Sequence, residues 1–174
     1  MLKNLTEVFM TQGSVVQEQI PYEADSFTCG NETYPIVSKA PCRMTFSNIG
    51  TSKALIEGKT EITFQMFCSR CLKPVEETIN LDFSREVFSP DAVNAENDED
   101  IEDFMEGYEC NIENLINNEI IINMPMKVLC KPDCKGICKQ CGADLNEGEC
   151  GCDTFVPDPR MAAIKDIFNA NKEV

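Results

Sequence analysis

The sequence contains no histidine and no tryptophan. Without an imidazole, the chain cannot build serine or cysteine triads or the HExxH metalloprotease site, since each needs histidine as a base or as a ligand. The sequence also lacks the glycine-rich phosphate loops GxxxxGK[ST] and GxGxxG and the glutamate-containing motif of the zinc deaminases. We therefore expect a protein that is not an enzyme and that has no small-molecule substrate.

Basic residues are scarce, with 15 Lys and Arg against 30 Asp and Glu and a formal net charge of −15. Such a surface repels a phosphate backbone at long range, which argues against a broad nucleic-acid footprint. Residues 91–109 contain nine carboxylates and no Lys or Arg. A run of this composition predicts an acidic flexible loop.

Long apolar runs are also missing, and the first residues lack the charged start and long apolar core of a secretory signal. We therefore expect a cytoplasmic protein that does not contact a membrane. In that compartment cysteine thiols stay reduced. The length of 174 residues suffices for one ordinary domain with its own core, so we predict a single domain over residues 1–174.

The pattern of apolar residues predicts an α+β fold. From Ala54 to Met66 and from Val75 to Val87 apolar and polar residues alternate, which is typical of strands with one buried face. Helical spacing follows in residues 111–120, and Asp158-Pro159 has the chemistry of a helix start. The predicted parts are an antiparallel β meander over 1–90, the acidic loop over 91–109, a packing helix over 110–126, a cysteine-rich zinc-binding region over 127–156 and a C-terminal helix over 157–174.

Cysteine, by contrast, is abundant: six of the eleven cysteines lie between Cys130 and Cys152, and a further CxxC pair is formed by Cys68 and Cys71. Eight clustered thiols without histidine favour closed tetrahedral zinc sites, because zinc accepts four thiolates without redox chemistry. Disulfides or inert buried thiols are the alternatives. A thioredoxin-type redox role is disfavoured, because no helical pattern follows Cys71.

Several separated motifs occur in order along the chain: Cys68-Ser69-Arg70-Cys71-Leu72, Asn123-Met124-Pro125-Met126, the run from Cys130 to Asn146, and Asp158-Pro159-Arg160. Together they resemble the YceD family, also called large ribosomal RNA subunit accumulation protein. The resemblance covers roughly residues 50–170 and implies a bacterial, cytoplasmic, non-enzymatic factor that supports accumulation or processing of 23S ribosomal RNA. The implied partner is pre-ribosomal RNA or a ribosome-assembly protein.

The eight cysteines allow two ligand arrangements. We predict two structural zinc ions, one held by Cys68, Cys71, Cys130 and Cys134 and one held by Cys138, Cys141, Cys150 and Cys152. The rival arrangement is a single ion held by Cys130, Cys134, Cys138 and Cys141.

Six cations lie close to these cysteines in the sequence and are candidates for RNA contact: Arg70, Lys73, Lys127, Lys131, Lys135 and Lys139. Neutralisation of the negatively charged metal centres is the alternative role for them. An alternative function for the whole chain is a zinc-stabilised protein-interaction adaptor that works through its acidic loop.

Overall fold

The computed structural model describes residues 1–92 and 102–152. The predicted C-terminal helix and residues 93–101 of the predicted acidic loop lie outside these residues. The elements are β1 (Leu2–Asn4), α1 (Thr6–Met10), β2 (Val15–Ile20), β3 (Ser26–Cys29), β4 (Glu32–Lys39), β5 (Cys42–Gly50), β6 (Lys53–Phe67), β7 (Pro74–Phe88), β8 (Met105–Glu106), β9 (Glu109–Asn111) and α2 (Ile112–Asn123).

The residue contacts divide the described residues into two compact units; the single domain over residues 1–174 stays a prediction. Among the described residues, the first unit comprises those of 1–67 and 74–128, and the second comprises Cys68–Lys73 together with residues 129–152. The division arises because the short turn between β6 and β7 makes its contacts with the later cysteine-rich segment. Each unit is described separately.

Strand β6 organises the larger sheet of the first unit. It pairs with β7 along its whole length, from Lys53↔Phe88 to Phe67↔Pro74. Its other edge is shared by β5 and β4, which lie end to end along it. Between them Pro41 interrupts the ladder, because proline has no N–H to donate. The α+β class and the antiparallel sheet are confirmed. The hydrogen-bonded strands follow the path β2-β5-β6-β4-β3, in which β5 and β4 pair with successive parts of one edge of β6, and β7 pairs with the opposite edge.

The apolar face of β6 forms the centre of the core. Ile56, Ile62 and Phe64 are fully buried, as the alternation of the sequence predicts. Gly58 lies on the same face opposite Phe83, and a Cβ placed on Gly58 would lie 2.2 Å from Cζ of that ring. Glycine is therefore required at position 58 so that the aromatic ring can pack on the strand.

Helix α2 packs on the sheet through its apolar stripe, as predicted. The side chain of Asn111 caps its first turn by accepting a hydrogen bond from the N–H of Asn114 at 3.3 Å. The helix ends at Asn123, since the residue before Pro125 is disfavoured in the helical region. On its buried face Glu119 pairs with Arg85 of β7, with an N–O distance of 2.6 Å.

A second, three-stranded sheet has the order β1-β9-β8. Its strands β8 and β9 occupy part of residues 91–109, where the sequence predicts loop throughout. They form because Phe104 and Cys110 are buried and anchor this hairpin in the core. Within the described residues, no helix has the length and apolar character needed to cross a membrane.

Candidate metal centres

The second unit begins with the turn Cys68–Lys73, which presents two thiols on a tight bend. The N–H of Cys68 donates to the carbonyl of Lys73 at 2.8 Å, and the N–H of Leu72 donates to the carbonyl of Cys68 at 2.9 Å. Leu72 adopts a positive φ of 60°, which a side chain seldom tolerates. Cys68 and Cys71 are both buried, so the turn directs its sulfurs away from solvent.

Cys130 and Cys134 bring their sulfurs to the same place. The Sγ atoms of Cys68 and Cys134 are 3.8 Å apart, and those of Cys71 and Cys130 are 3.4 Å apart. All four sulfurs lie within 4.8 Å of one another. We call this set site A.

The remaining four clustered cysteines, Cys138, Cys141, Cys150 and Cys152, form site B, whose sulfurs also lie within 4.8 Å of one another. The knuckle between the first two is closed by the N–H of Gly142, which donates to the carbonyl of Cys138 at 2.9 Å. Gly142 has a φ of 75°, a conformation for which glycine has no steric cost. The two groups are those of the two-ion arrangement, and among the described residues the sulfurs of Cys130, Cys134, Cys138 and Cys141 are not gathered into one group.

The sulfur spacing fits a tetrahedral thiolate metal site. A Zn–S bond of about 2.3 Å places the corners of a tetrahedron about 3.8 Å apart, close to the two distances in site A. A disulfide would need sulfurs about 2 Å apart, and all eleven cysteines are free. Both sites can therefore hold a metal ion, with four cysteine ligands and no histidine.

Backbone N–H groups around the sulfurs favour thiolates. Those of Cys141 and Gln140 lower the pKa of Cys138 to about 6. Burial opposes ionisation of Cys68, but N–H groups led by that of Cys71 lower the pKa of this thiol to about 6. In contrast, the pKa of Cys130 is raised to about 12, chiefly by the hydrogen bond between the thiol of Cys130 and that of Cys71. Four thiolates in so small a volume repel one another, and a bound cation removes that repulsion.

Asn146 is a supporting residue that the sequence analysis did not single out. Its Nδ2 lies 3.5 Å from Sγ of Cys134 and donates to it, while its Oδ1 accepts from the N–H of Lys135 at 2.9 Å. Asp144 in turn accepts from the backbone and side-chain N–H groups of Asn146 at 2.8 and 2.7 Å. The signal available in the sequence is the Asp-x-Asn pattern, which is typical of a side-chain-stabilised turn.

Gly136 allows the turn of site A to approach the cysteine-rich segment. A Cβ at this position would lie 2.9 Å from the carbonyl oxygen of Arg70, and its φ is 81°. The same carbonyl oxygen accepts a hydrogen bond from the N–H of Ile137 at 3.2 Å. A side chain at position 136 would therefore separate backbone segments that are in direct contact.

The six cations proposed for RNA contact have different environments. Arg70 donates from Nη1 to the carbonyl oxygen of Cys134. Lys73 makes ion pairs with Asp144 at 2.7 Å and with Glu147 at 3.0 Å, and these contacts raise the pKa of Lys73 and lower that of Asp144 to about 2. The remaining four are exposed: Lys127 in the first unit, and Lys131, Lys135 and Lys139 in the second.

The cysteines outside the two sites belong to the first unit. Cys42 and Cys110 are fully buried, and burial raises the pKa of their thiols to about 11 and about 12. Cys29 is half-buried at the end of β3. We interpret these three thiols, which lie outside the two four-sulfur groups, as incidental.

Comparison with known proteins identifies one family along most of the chain. Residues 56–168, which include all eight clustered cysteines, match the family described as large ribosomal RNA subunit accumulation protein YceD. Uncharacterized proteins of Mycobacterium tuberculosis and Mycobacterium bovis are each 28% identical over 107 residues, or 61% of this chain and 51% of the relative. The match thus spans about half the length of these curated relatives. No solved structure matches the chain at a significant level.

Proposed function

The chain belongs to the YceD family, and from this membership we propose that it is a non-enzymatic factor in biogenesis of the large ribosomal subunit. It supports accumulation or processing of 23S ribosomal RNA and carries two structural zinc ions. It acts in the cytoplasm, where its thiols stay reduced. Its partner is pre-ribosomal RNA or a protein that handles this RNA.

The observation that carries the zinc proposal is the pair of four-sulfur groups. A catalytic zinc keeps one position open for water or substrate, whereas a site with four cysteine ligands is closed and structural. Sites A and B each offer four thiols, so they support a structural role. When bound, zinc would supply a cross-link between the turn Cys68–Lys73 and the segment after Leu129.

The functional proposal is tested by depletion of the protein in its own organism. We expect the amount of 23S ribosomal RNA to fall relative to 16S ribosomal RNA, or unprocessed 23S precursor to accumulate, as measured by electrophoresis and sequencing of RNA ends. Wild-type protein should restore the normal ratio. Unchanged amount and processing of both RNAs on full depletion would contradict the proposed function.

Sedimentation distinguishes the assembly factor from an adaptor unrelated to ribosomes. The assembly factor should cosediment with precursors of the large subunit at low salt and be released as the salt concentration rises, because phosphate contacts are screened. An adaptor that acts elsewhere should remain at the top of the gradient at every salt concentration, while depletion leaves 23S ribosomal RNA unchanged.

A further inference from the structure

Three lysines of the second unit share one relation to the metal sites. Lys131 follows Cys130, Lys135 follows Cys134, and Lys139 follows Cys138, so each cation comes directly after a clustered cysteine. We propose that Lys131, Lys135 and Lys139 form a contact surface for RNA phosphates, which we call the lysine triad. This inference rests on the proposed function and names the chemistry by which the protein meets RNA.

The lysine triad is distinguished from the neighbouring cations by its freedom to bind a partner. All three side chains are exposed, and among the ion pairs of the described residues none involves their Nζ atoms. Lys73, by comparison, is engaged by two carboxylates, and the guanidinium of Arg70 donates to the backbone. Lys127 is also exposed, but it belongs to the first unit, so exposure and position together favour the three lysines of the second unit for external contacts.

The attachment points of the triad are held by the fold of the metal sites. The carbonyl of Lys131 accepts from the N–H of Cys134 at 3.1 Å, and the N–H of Lys135 donates to Asn146 at 2.9 Å. Cys138, which precedes Lys139, is buried within site B. Anchored backbone positions reduce the ordering that binding requires, while the long side chains can adapt to a phosphate backbone.

The local charge balance supports a small contact surface rather than a broad one. Asp144 and Glu147 share Lys73 as their cation, which offsets one of their two negative charges. Asp133 lies between the first two lysines of the triad, and Glu149 lies in site B between Cys141 and Cys150. A zinc ion with four thiolates carries a formal charge of −2, so some of the lysine charge compensates the metal centres. Because the exposed ammonium groups are not consumed by ion pairs, they remain able to contact phosphates, but only at short range.

Binding to a fluorescently labelled uridine oligonucleotide tests the proposal directly. For a single strand, three phosphate contacts predict that log K falls against log salt concentration with a slope of about −2 between roughly 50 and 200 mM KCl. The variant Lys131→Gln, Lys135→Gln, Lys139→Gln should lose at least about tenfold in affinity at the lowest salt, with a slope close to zero. Each single Lys→Gln variant should reduce the slope by about 0.7.

The matched control is Arg43→Gln, Lys53→Gln, Lys59→Gln, which removes three exposed cations from the first unit and changes the net charge equally. It should bind the oligonucleotide as the wild type does, whereas Lys→Arg at the three triad positions should retain the affinity and the slope. Metal content and circular dichroism of each variant report whether the fold is intact. If the triple Gln variant loses its metal, the three single variants provide the slopes that decide.

Three outcomes of the binding experiment would overturn the inference: a wild-type protein that does not bind the oligonucleotide, equal losses in the triad and control variants, or tighter binding of labelled polyglutamate than of RNA. The last would indicate an acidic protein partner. The proposed function is tested separately, by measuring 23S ribosomal RNA after depletion of the protein. If the triad variant fully restores 23S ribosomal RNA in depleted cells, RNA contact through the lysine triad is rejected and the assembly role is retained. If depletion causes no RNA defect, the assembly role itself is rejected.

Discussion

Single side chains around site A do more than provide sulfur ligands, and Asn146 is the clearest example. We expect Asn146→Ala to weaken metal binding by roughly 10- to 100-fold, the usual range for loss of a group that supports a ligand. The cause is loss of the hydrogen bond to Cys134 and of the acceptor for the N–H of Lys135. Competition with a chromophoric chelator measures the affinity. Asn80→Ala, at an exposed position of β7, is the control, and equal affinities for the two variants would contradict the role of Asn146.

Gly58 provides a residue-scale prediction for the first unit. Gly58→Ala places a methyl group into the ring of Phe83, so we expect a loss of about 1–3 kcal/mol in the free energy of unfolding, as for other overpacked cores. Urea denaturation measures it. Gly148→Ala is the control, because nothing lies within 4 Å of a Cβ at that position. The double variant Gly58→Ala, Phe83→Leu should recover part of the loss, and the absence of recovery would show that the ring is not the cause.

At the scale of elements, Arg85 and Glu119 join strand β7 to helix α2. The side chain of Glu119 is only 4% exposed, while that of Arg85 is 36% exposed. We expect Arg85→Gln to lower the free energy of unfolding by about 2 kcal/mol, because it leaves a buried carboxylate without its cation. Lys59→Gln breaks the exposed pair with Asp82 and should cost less than about 1 kcal/mol. Equal costs in urea denaturation would mean that burial of Glu119 does not matter.

Local sequence patterns predicted some elements and not others, for identifiable reasons. Strands β6 and β7 and helix α2 are long, and one face of each is regularly apolar, so their period was readable. Strands β2 and β3 were not predicted, because they are short and each has a single buried residue, Ile20 and Phe27, which is too few to show a period of two. Strands β8 and β9 lie partly in a carboxylate-rich segment. The many charges there predicted a loop, and the single apolar Phe104, which is buried, was too weak an indication of ordered structure.

For the whole molecule, the two sites predict the metal content. Protein prepared under reducing conditions should contain two zinc ions per chain, because eight thiols form two closed groups of four. Cys138→Ser together with Cys141→Ser should reduce this to one ion by removing half of site B. Elemental analysis by mass spectrometry gives the ratio. One ion in the wild type would favour the rival arrangement, and none would reject both.

Metal removal should affect the two units differently. A chelator should abolish hydrogen-exchange protection at the amides of Cys134, Cys138 and Gly142, while the β6–β7 ladder keeps its protection. The reason is that structural zinc contributes on the order of 10 kcal/mol to small thiolate sites, whereas the first unit has its own apolar core. Exchange measured by mass spectrometry with and without chelator checks this. Unchanged protection throughout residues 129–152 would contradict it.

The amino-acid sequence by itself determined the ligand chemistry and the local geometry of this protein. The absence of histidine leaves thiols as the clustered ligands, the CxxC spacing and Gly142 predict the knuckles, and strict alternation predicts the hairpin that carries Cys68 and Cys71. These features depend on neighbours within a few residues. Their physical basis is backbone sterics and the period of apolar side chains.

Only the tertiary structure decided which groups are brought together and which remain available. The ion pair between Lys73 and Glu147 joins residues 74 positions apart. No local pattern could therefore show that Lys73 is paired, whereas no ion pair within residues 1–92 and 102–152 involves the lysine triad. The grouping of the sulfurs that favours the two-ion arrangement arises in the same way, because Cys71 and Cys130 are 59 positions apart and their sulfurs lie 3.4 Å apart. The physical reason is that electrostatic and ligand contacts depend on distance in space, which a chain of this length specifies only once it is folded.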